Sequence, residues 1–293
     1  MSAGTPVLPA SVTEIVPGRL YAFGGVVPAG RPTSWYPERR TGWLPINGYL
    51  LKDRGHGLLV DTGVTQHQSG IREALSVLLA DCTRRGIVMT RREPDAIVNL
   101  PWIANEFALD TVSCGGEISP IDFFESVETL TARAHVLATS GMELNWARPG
   151  AIVAAGDVRV EVLRTSLRVL ATNHLYEHST RTLFGSDAWG LLTLDAPDGP
   201  LLATADEGLD AEDIADFLAV KFDWLMGAEL DIVIRDIASI GTDRPIARIC
   251  SSYGRVIEGE GLVAKVLERT VKALELLSSR PRKGALGSFR WAG

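Results

Sequence analysis

The sequence predicts an α+β fold in which two sheets pack face to face with helices outside. Three observations point there. Short apolar runs of period two, broken by glycines, open the chain and recur in its second half. Each set of strand-like runs is followed by stretches with helical spacing. No repeat of fixed period and no Pro/Gly/Ser-rich linker divides the 293 residues. The expectation is one domain over residues 1–278, followed by a basic, glycine-rich, flexible tail over 279–293.

The elements follow in order. "GRLYAFGGVV" and "NGYLLKD" read as strands, and "GLLVDTG" as a third. The tract Arg54-Gly55-His56-Gly57 supplies the turn between the last two. "SGIREALSVLLADCTRRG" has apolar residues at helical spacing, with Ser69 as its cap and Gly86 as its end. "DAIVNL" reads as a buried strand, "ISPIDFFESVETL" as helical and "AHVLATS" as strand-like. A meander follows: "AIVAAGDVRVEVLRTS", "LRVLATNHLYE" and "TRTLFGSD", with "PLLATADE" as a further strand. "DAEDIADFLAVKFDWLMGAEL" is an amphipathic helix with an acidic first turn, as the helix dipole prefers. "LDIVIRDIAS" reads as a strand, and "EGLVAKVLERTVKALELLSS" as the last long helix.

Composition excludes several classes. The chain is 46% hydrophobic and 22% charged, ordinary for a globular protein. Its net charge of −7 argues against nucleic acid as the main partner, since phosphate binding needs a basic field. The three cysteines, Cys82, Cys114 and Cys250, are widely spaced, which argues against a disulfide framework or a thiolate zinc site. No long uninterrupted apolar window suggests a membrane span, and "MSAGTPVLPASVTEIVPG" lacks the pattern of a signal peptide. The expected location is the cytoplasm. The glycines of "GVVPAG", "SCGGE" and "VIEGEG" lack the lysine and hydroxyl residue of a phosphate loop.

Three stretches, in this order, resemble the metallo-β-lactamase superfamily. "NGYLLKDRGHGLLVDTG" is similar to that family's opening strands with their Asp-Thr-Gly turn. "DVRVEVLRTS" is similar to the strand leading to its third histidine motif, and "TRTLFGSDAWG" to the strand ending in its bridging aspartate, here Asp187. The resemblance covers roughly residues 15–260. It implies a four-layer αββα sandwich. It also implies a metal-assisted reaction, in which one or two zinc or iron ions lower the pKa of bound water and polarise the substrate.

The ligands that chemistry needs are missing. The family's HxHxDH follows the strand that "DAIV" resembles, and in that register the chain reads "PWIANE". Pro101 and Ile103 then stand at the first two histidines, Asn105 at the aspartate and Glu106 at the last histidine. A second register, anchored on Gly115-Gly116, offers Ala108, Asp110, Val112 and Ser113. The family's T-P-G-H aligns with Thr165-Ser166-Leu167-Arg168, and Tyr253 falls at the late histidine. Asp187 remains, as does Asp61, which in the family mainly organises its loop. None of the five histidines, His56, His67, His135, His174 and His178, falls at a ligand position. His174 and His178 read as surface or hairpin residues, with a catalytic base such as His178 as the sharper alternative.

A guanidinium can supply the positive charge that a metal supplies elsewhere, because it is permanently charged and binds carboxylates through two parallel bonds. The expected catalytic set is therefore Asp187, Glu106 and Arg168, with an Arg168–Asp187 pair in place of the metal. Asn105, Trp102, His67 and Tyr253 are the expected substrate-binding residues. No metal and no cofactor are expected. Cys114 could be read as a nucleophile, but an inert buried thiol is the usual state. The expected function is a hydrolase-type protein acting on an activated ester, lactone, thioester or aryl ether. That family includes two-subunit nitroaryl ether O-demethylases of similar length and domain plan, so the chain is expected to act alone or beside a homologous subunit with an intact metal site. The alternatives are a non-catalytic partner subunit and a ligand-binding pseudoenzyme. The apolar "FDWLMGAEL" is consistent with association, but such a helix is more often core than interface.

Overall fold

A computed structural model describes residues 8–30, 33, 35–115, 142–169, 171–207 and 209–280. The first sheet runs in the order β1 to β7: Val12–Val16, Leu20–Pro28, Trp43–Asp53, His56–Val60, Arg84–Met89, Thr111–Cys114 and Glu143–Trp146. Three helices lie between its strands in sequence: α1, Gln68–Leu78; α2, Pro94–Ile97; α3, Leu100–Glu106. The second sheet contains β8, Ile152–Ala155; β9, Val158–Leu163; β10, His174–Glu177; β11, Thr182–Phe184; β12, Leu202–Ala203; β13, Arg248–Cys250; and β14, Val256–Glu258. Its spatial order is β12-β14-β13-β11-β10-β9-β8. The helices α4, Ala211–Lys221, α5, Asp231–Asp243, and α6, Glu260–Ser279, accompany it.

The layers follow from the alternation of side chains along each strand. Leu58 and Val60 of β4 and Val88 of β5 point between the sheets, where they meet Val160, Val162, Leu175 and Phe184. Their neighbours Leu59, Ile87 and Met89 point outward onto Ile71, Leu75 and Leu78 of α1. On the far side, Leu183, Ile249 and Ile257 pack against Phe217 and Leu218 of α4 and Val263, Val266 and Leu274 of α6. Central strands buried on both faces explain why "GLLV" is apolar without a break. The fold is an αββα sandwich, as expected.

Four local readings are corrected. Gly86 does not end a helix: α1 stops at Leu78, and "RRGIVM" is β5, paired in parallel with β4. Ser69 lies inside the first turn of α1, whose start has no side-chain cap. "DAIV" belongs to α2 and its end, not to a strand; Pro94 in the first turn suits a helix start. "DIVIRDIAS" forms most of α5, with Val233, Ile237 and Ile240 buried at helical spacing. The stretches "ISPIDFFESVETL" and "AHVLATS" and residues 281–293 of the tail lie outside the described residues. The last helix extends through Ser279, the first residue of that expected tail.

Candidate functional site

Loops after four strands converge at one edge of the sandwich. Asp61 follows β4, Thr90 and Arg91 follow β5, Asp187 follows β11, and Ser251 to Tyr253 follow β13. Because β4 runs parallel to β5 and β11 parallel to β13, their carboxyl ends lie side by side. Two of the turns hold non-glycine residues in the left-handed region, Asp61 at φ +58° and Ser186 at φ +52°. Such backbone persists only where surrounding contacts over-determine it.

Those contacts centre on Arg91, whose side chain is fully buried. Its Nη2 pairs with Asp95. Its Nη1 donates to Ser252 Oγ at 2.7 Å and lies 3.7 Å from Asp61 Oδ2. Its Nε lies 3.5 Å from Glu93 Oε2 and 3.8 Å from Asp187 Oδ2, without a hydrogen bond to either. Asp61 accepts from the Thr90 amide at 2.7 Å, the Thr90 hydroxyl at 2.8 Å and the Ser252 hydroxyl at 2.7 Å. Burial raises the Asp61 pKa, and Arg91 and these donors offset part of that rise.

A second cation completes the cluster. Lys221, the last residue of α4, places Nζ 2.8 Å from Glu93 Oε2 and 3.2 Å from Asp187 Oδ2. Four carboxylates, Asp61, Glu93, Asp95 and Asp187, thus face Arg91 and Lys221. Tyr253 lies beside them, fully buried, its hydroxyl 3.4 Å from the Asp187 carbonyl. Burial and the nearby Asp187 carboxylate hold its phenol well above the usual range, so it remains neutral. Asp187 Oδ1 is buried with no hydrogen-bond partner among the described residues.

The register of the metal motif now follows from the strands. The loop directly after β5 reads "RREPDA", which puts Arg91, Glu93, Asp95 and Ala96 at the spacing of the HxHxDH that the resemblance implies. The register anchored on Pro101 assumed a strand at "DAIV", and that stretch is helical. The signal that could have found the register at Arg91 is the apolar "GIVMT" directly before an alternating charged run.

The expected site residues divide. Asp187 and Tyr253 lie in the cluster. Arg168 does not: it is exposed, and no ion pair among the described residues joins it to Asp187. Arg91 and Lys221 face Asp187 instead. Glu106 is at the exposed end of α3, paired with Arg72 at 2.8 Å. Asn105 is exposed beside it, and Trp102 donates to Asn99 at 2.9 Å under the Arg72 guanidinium. These three lie on α3 in the outer helical layer, and the partners of Trp102 and Glu106, Asn99 and Arg72, are not members of the cluster. His67 sits before α1 with Nε2 3.2 Å from the Val26 carbonyl, and burial lowers its pKa. His178 is exposed and 3.1 Å from Glu161, whereas His174 is fully buried, contrary to a surface reading. Cys114 is buried, with its thiol pKa raised by desolvation, which disfavours a nucleophilic thiolate.

The donor set does not fit the metal centre of the fold family. The carboxylates are committed to organic cations, no imidazole joins them, and no group of three metal-ligating side chains suited to an ion is found among the described residues.

No protein-family profile and no curated protein sequence matches the chain. Solved structures do. The rubredoxin oxygen:oxidoreductase of the anaerobe Desulfovibrio gigas aligns over 90% of this chain and 61% of its own, with TM-score 0.63 and 14% identity. The flavodiiron protein of Giardia intestinalis aligns over 89% and 59%, with TM-score 0.53 and 14% identity. A metallo-β-lactamase from Pontibacter korlensis aligns over 90% and 98%, with TM-score 0.54 and 14% identity. The chain therefore has the metallo-β-lactamase fold, and it spans about three fifths of the two longer chains, the Desulfovibrio gigas and Giardia intestinalis proteins. No helix among the described residues is long and apolar enough to cross a membrane.

Proposed function

We propose that this chain is the metal-free subunit of a hydrolase-type assembly on the metallo-β-lactamase scaffold. Its partner is a homologous subunit with an intact metal site, and the substrate is an activated small molecule such as an ester, lactone, thioester or electron-poor aryl ether. One observation carries the reading: Arg91 and Lys221 hold, through Glu93, Asp95 and Asp187, the loop positions where the fold family holds metal. Fold likeness alone does not choose a chemistry, since the similar structures include both a lactamase and an oxidoreductase. Arg91, Asp187 and Tyr253 are each nearly inaccessible, which suits a structural centre better than one that touches substrate.

A second reading, an enzyme that acts alone, is favoured by Asp187 Oδ1, a buried carboxylate oxygen with no hydrogen-bond partner among the described residues and so with an acceptor position open. Affinity purification from the native host separates the two. The subunit reading expects a histidine-bearing homologue to co-purify, with turnover only when both chains are present. Turnover by the pure chain, abolished by Asp187→Asn, would replace it with the second reading.

A further inference from the structure

The Lys221 ammonium lies in a cage with two kinds of wall. Two are carboxylate oxygens, Glu93 Oε2 at 2.8 Å and Asp187 Oδ2 at 3.2 Å. Two are aromatic faces: Nζ is 5.6 Å from the Trp35 ring centroid and 5.7 Å from that of Tyr253. The rings are themselves in contact, with centroids 4.4 Å apart and planes tilted by 44°. Only 9% of the lysine side chain is exposed. Paired π faces and carboxylates are the chemistry that recognises organic ammonium ions. Asp187 Oδ1, buried and unpartnered beside this ammonium, leaves the cage with unused acceptor capacity.

We infer that the Trp35–Tyr253–Glu93–Asp187 cage is an ammonium-binding site whose occupant is the chain's own Lys221, and that a small primary alkylammonium ion takes the same place when Lys221 is shortened. Lys221 reaches it from the C-terminal end of α4, where the helix dipole favours a cation. The cage prefers an organic cation to a divalent metal. Two of its walls offer only π density, whereas a divalent ion requires several lone-pair donors at short range. The inference rests on the metal-free reading of the cluster. Its readouts use this chain alone, so it can fail while the two-subunit reading stands, and the reverse.

The test uses Lys221→Ala in the full chain, with methylammonium chloride as probe and sodium chloride at equal ionic strength as control. The expected result is a lower Tm for the variant than for the wild-type chain, restored by methylammonium and not by sodium. Binding should fall in the millimolar range, because so small an ion makes few contacts. The wild-type chain should not respond. Lys221→Met, which fills the space with a neutral stem, should be destabilised and show no rescue. Adding Trp35→Leu to Lys221→Ala should abolish the rescue. Should Lys221→Ala fail to fold, refolding with methylammonium should recover it and refolding with sodium should not. Undiminished stability of Lys221→Ala, equal effects of the two salts, or preferential stabilisation by zinc chloride would each overturn the inference.

Discussion

Asp187 Oδ2 lies 3.8 Å from Arg91 Nε, and the two residues come from different sheets. Arg91 follows β5 of the first sheet, and Asp187 follows β11 of the second. The buried ionic cluster therefore fastens the two sheets at the edge where their loops meet. In a metal-bearing relative of this fold, an ion can do that. Here the bond is made by side chains.

Removing the central cation should be costly. Arg91→Met leaves the buried Asp61 and Asp187 and the half-buried Asp95 without their guanidinium, and breaking a buried pair typically costs about 3–5 kcal/mol. Urea unfolding should show that loss as a lower midpoint. Arg91→Lys should recover only part of it, because an ammonium cannot span Asp95 and Ser252 at once.

Arg168 should behave in the opposite way. It is exposed and has no ion pair to Asp187, so Arg168→Ala should change stability by no more than about 0.5 kcal/mol. A loss comparable to that of Arg91→Met would return Arg168 to the cluster.

Acid should weaken the fold through His174. Its ring is fully buried, both nitrogens lack hydrogen-bond partners among the described residues, and it packs 5.2 Å from the Trp189 ring. Burial lowers its pKa from 6.5 to about 4, with Asp236 opposing weakly. Below pH 6.5 the unfolded chain takes up a proton that the folded chain refuses. Stability should fall as pH drops through that window and level off near pH 4, with a total loss of about 3 kcal/mol from this group. His174→Phe should flatten that part of the pH–stability curve, measured by denaturant unfolding at each pH.

The sandwich was legible because strand alternation and the final helix are written in apolar spacing, which packing then obeys. "GLLVDTG" and "EGLVAKVLERTVKALELLSS" are clear for that reason. The cluster was only half legible. Asp187 and Tyr253 lie on turns with recognisable neighbours, whereas Arg91 is hidden when "RRG", the start of β5, is read as a helix end. A short buried strand after a helix has too few residues to show its period, and "DAIV" nearby carried an equally apolar run. Misplacing one strand moved the motif register by ten residues, from Arg91 to Pro101. Lys221 had no local signal, since it reaches the cluster from a distant helix whose pattern shows only amphipathicity.

The turn that carries Tyr253 should tolerate no added bulk at Gly190. A Cβ built there would stand 2.6 Å from the Tyr253 carbonyl oxygen and 2.3 Å from its ring, and neither can retreat easily. Tyr253 is fully buried against Trp35 and Phe217, and Gly254 behind it already uses φ +79° to bring its backbone against Gly190. Gly190→Ala should therefore destabilise by about 1–3 kcal/mol through overpacking. The urea midpoint should fall with an unchanged slope, since the surface exposed on unfolding stays the same. Gly261→Ala gives the contrast. That glycine lies in the first turn of α6 with open space around its missing Cβ, so the substitution should stabilise by about 0.5 kcal/mol through helix propensity. Equal effects at the two positions would mean that Tyr253 is not packed against Gly190 as tightly as these contacts require.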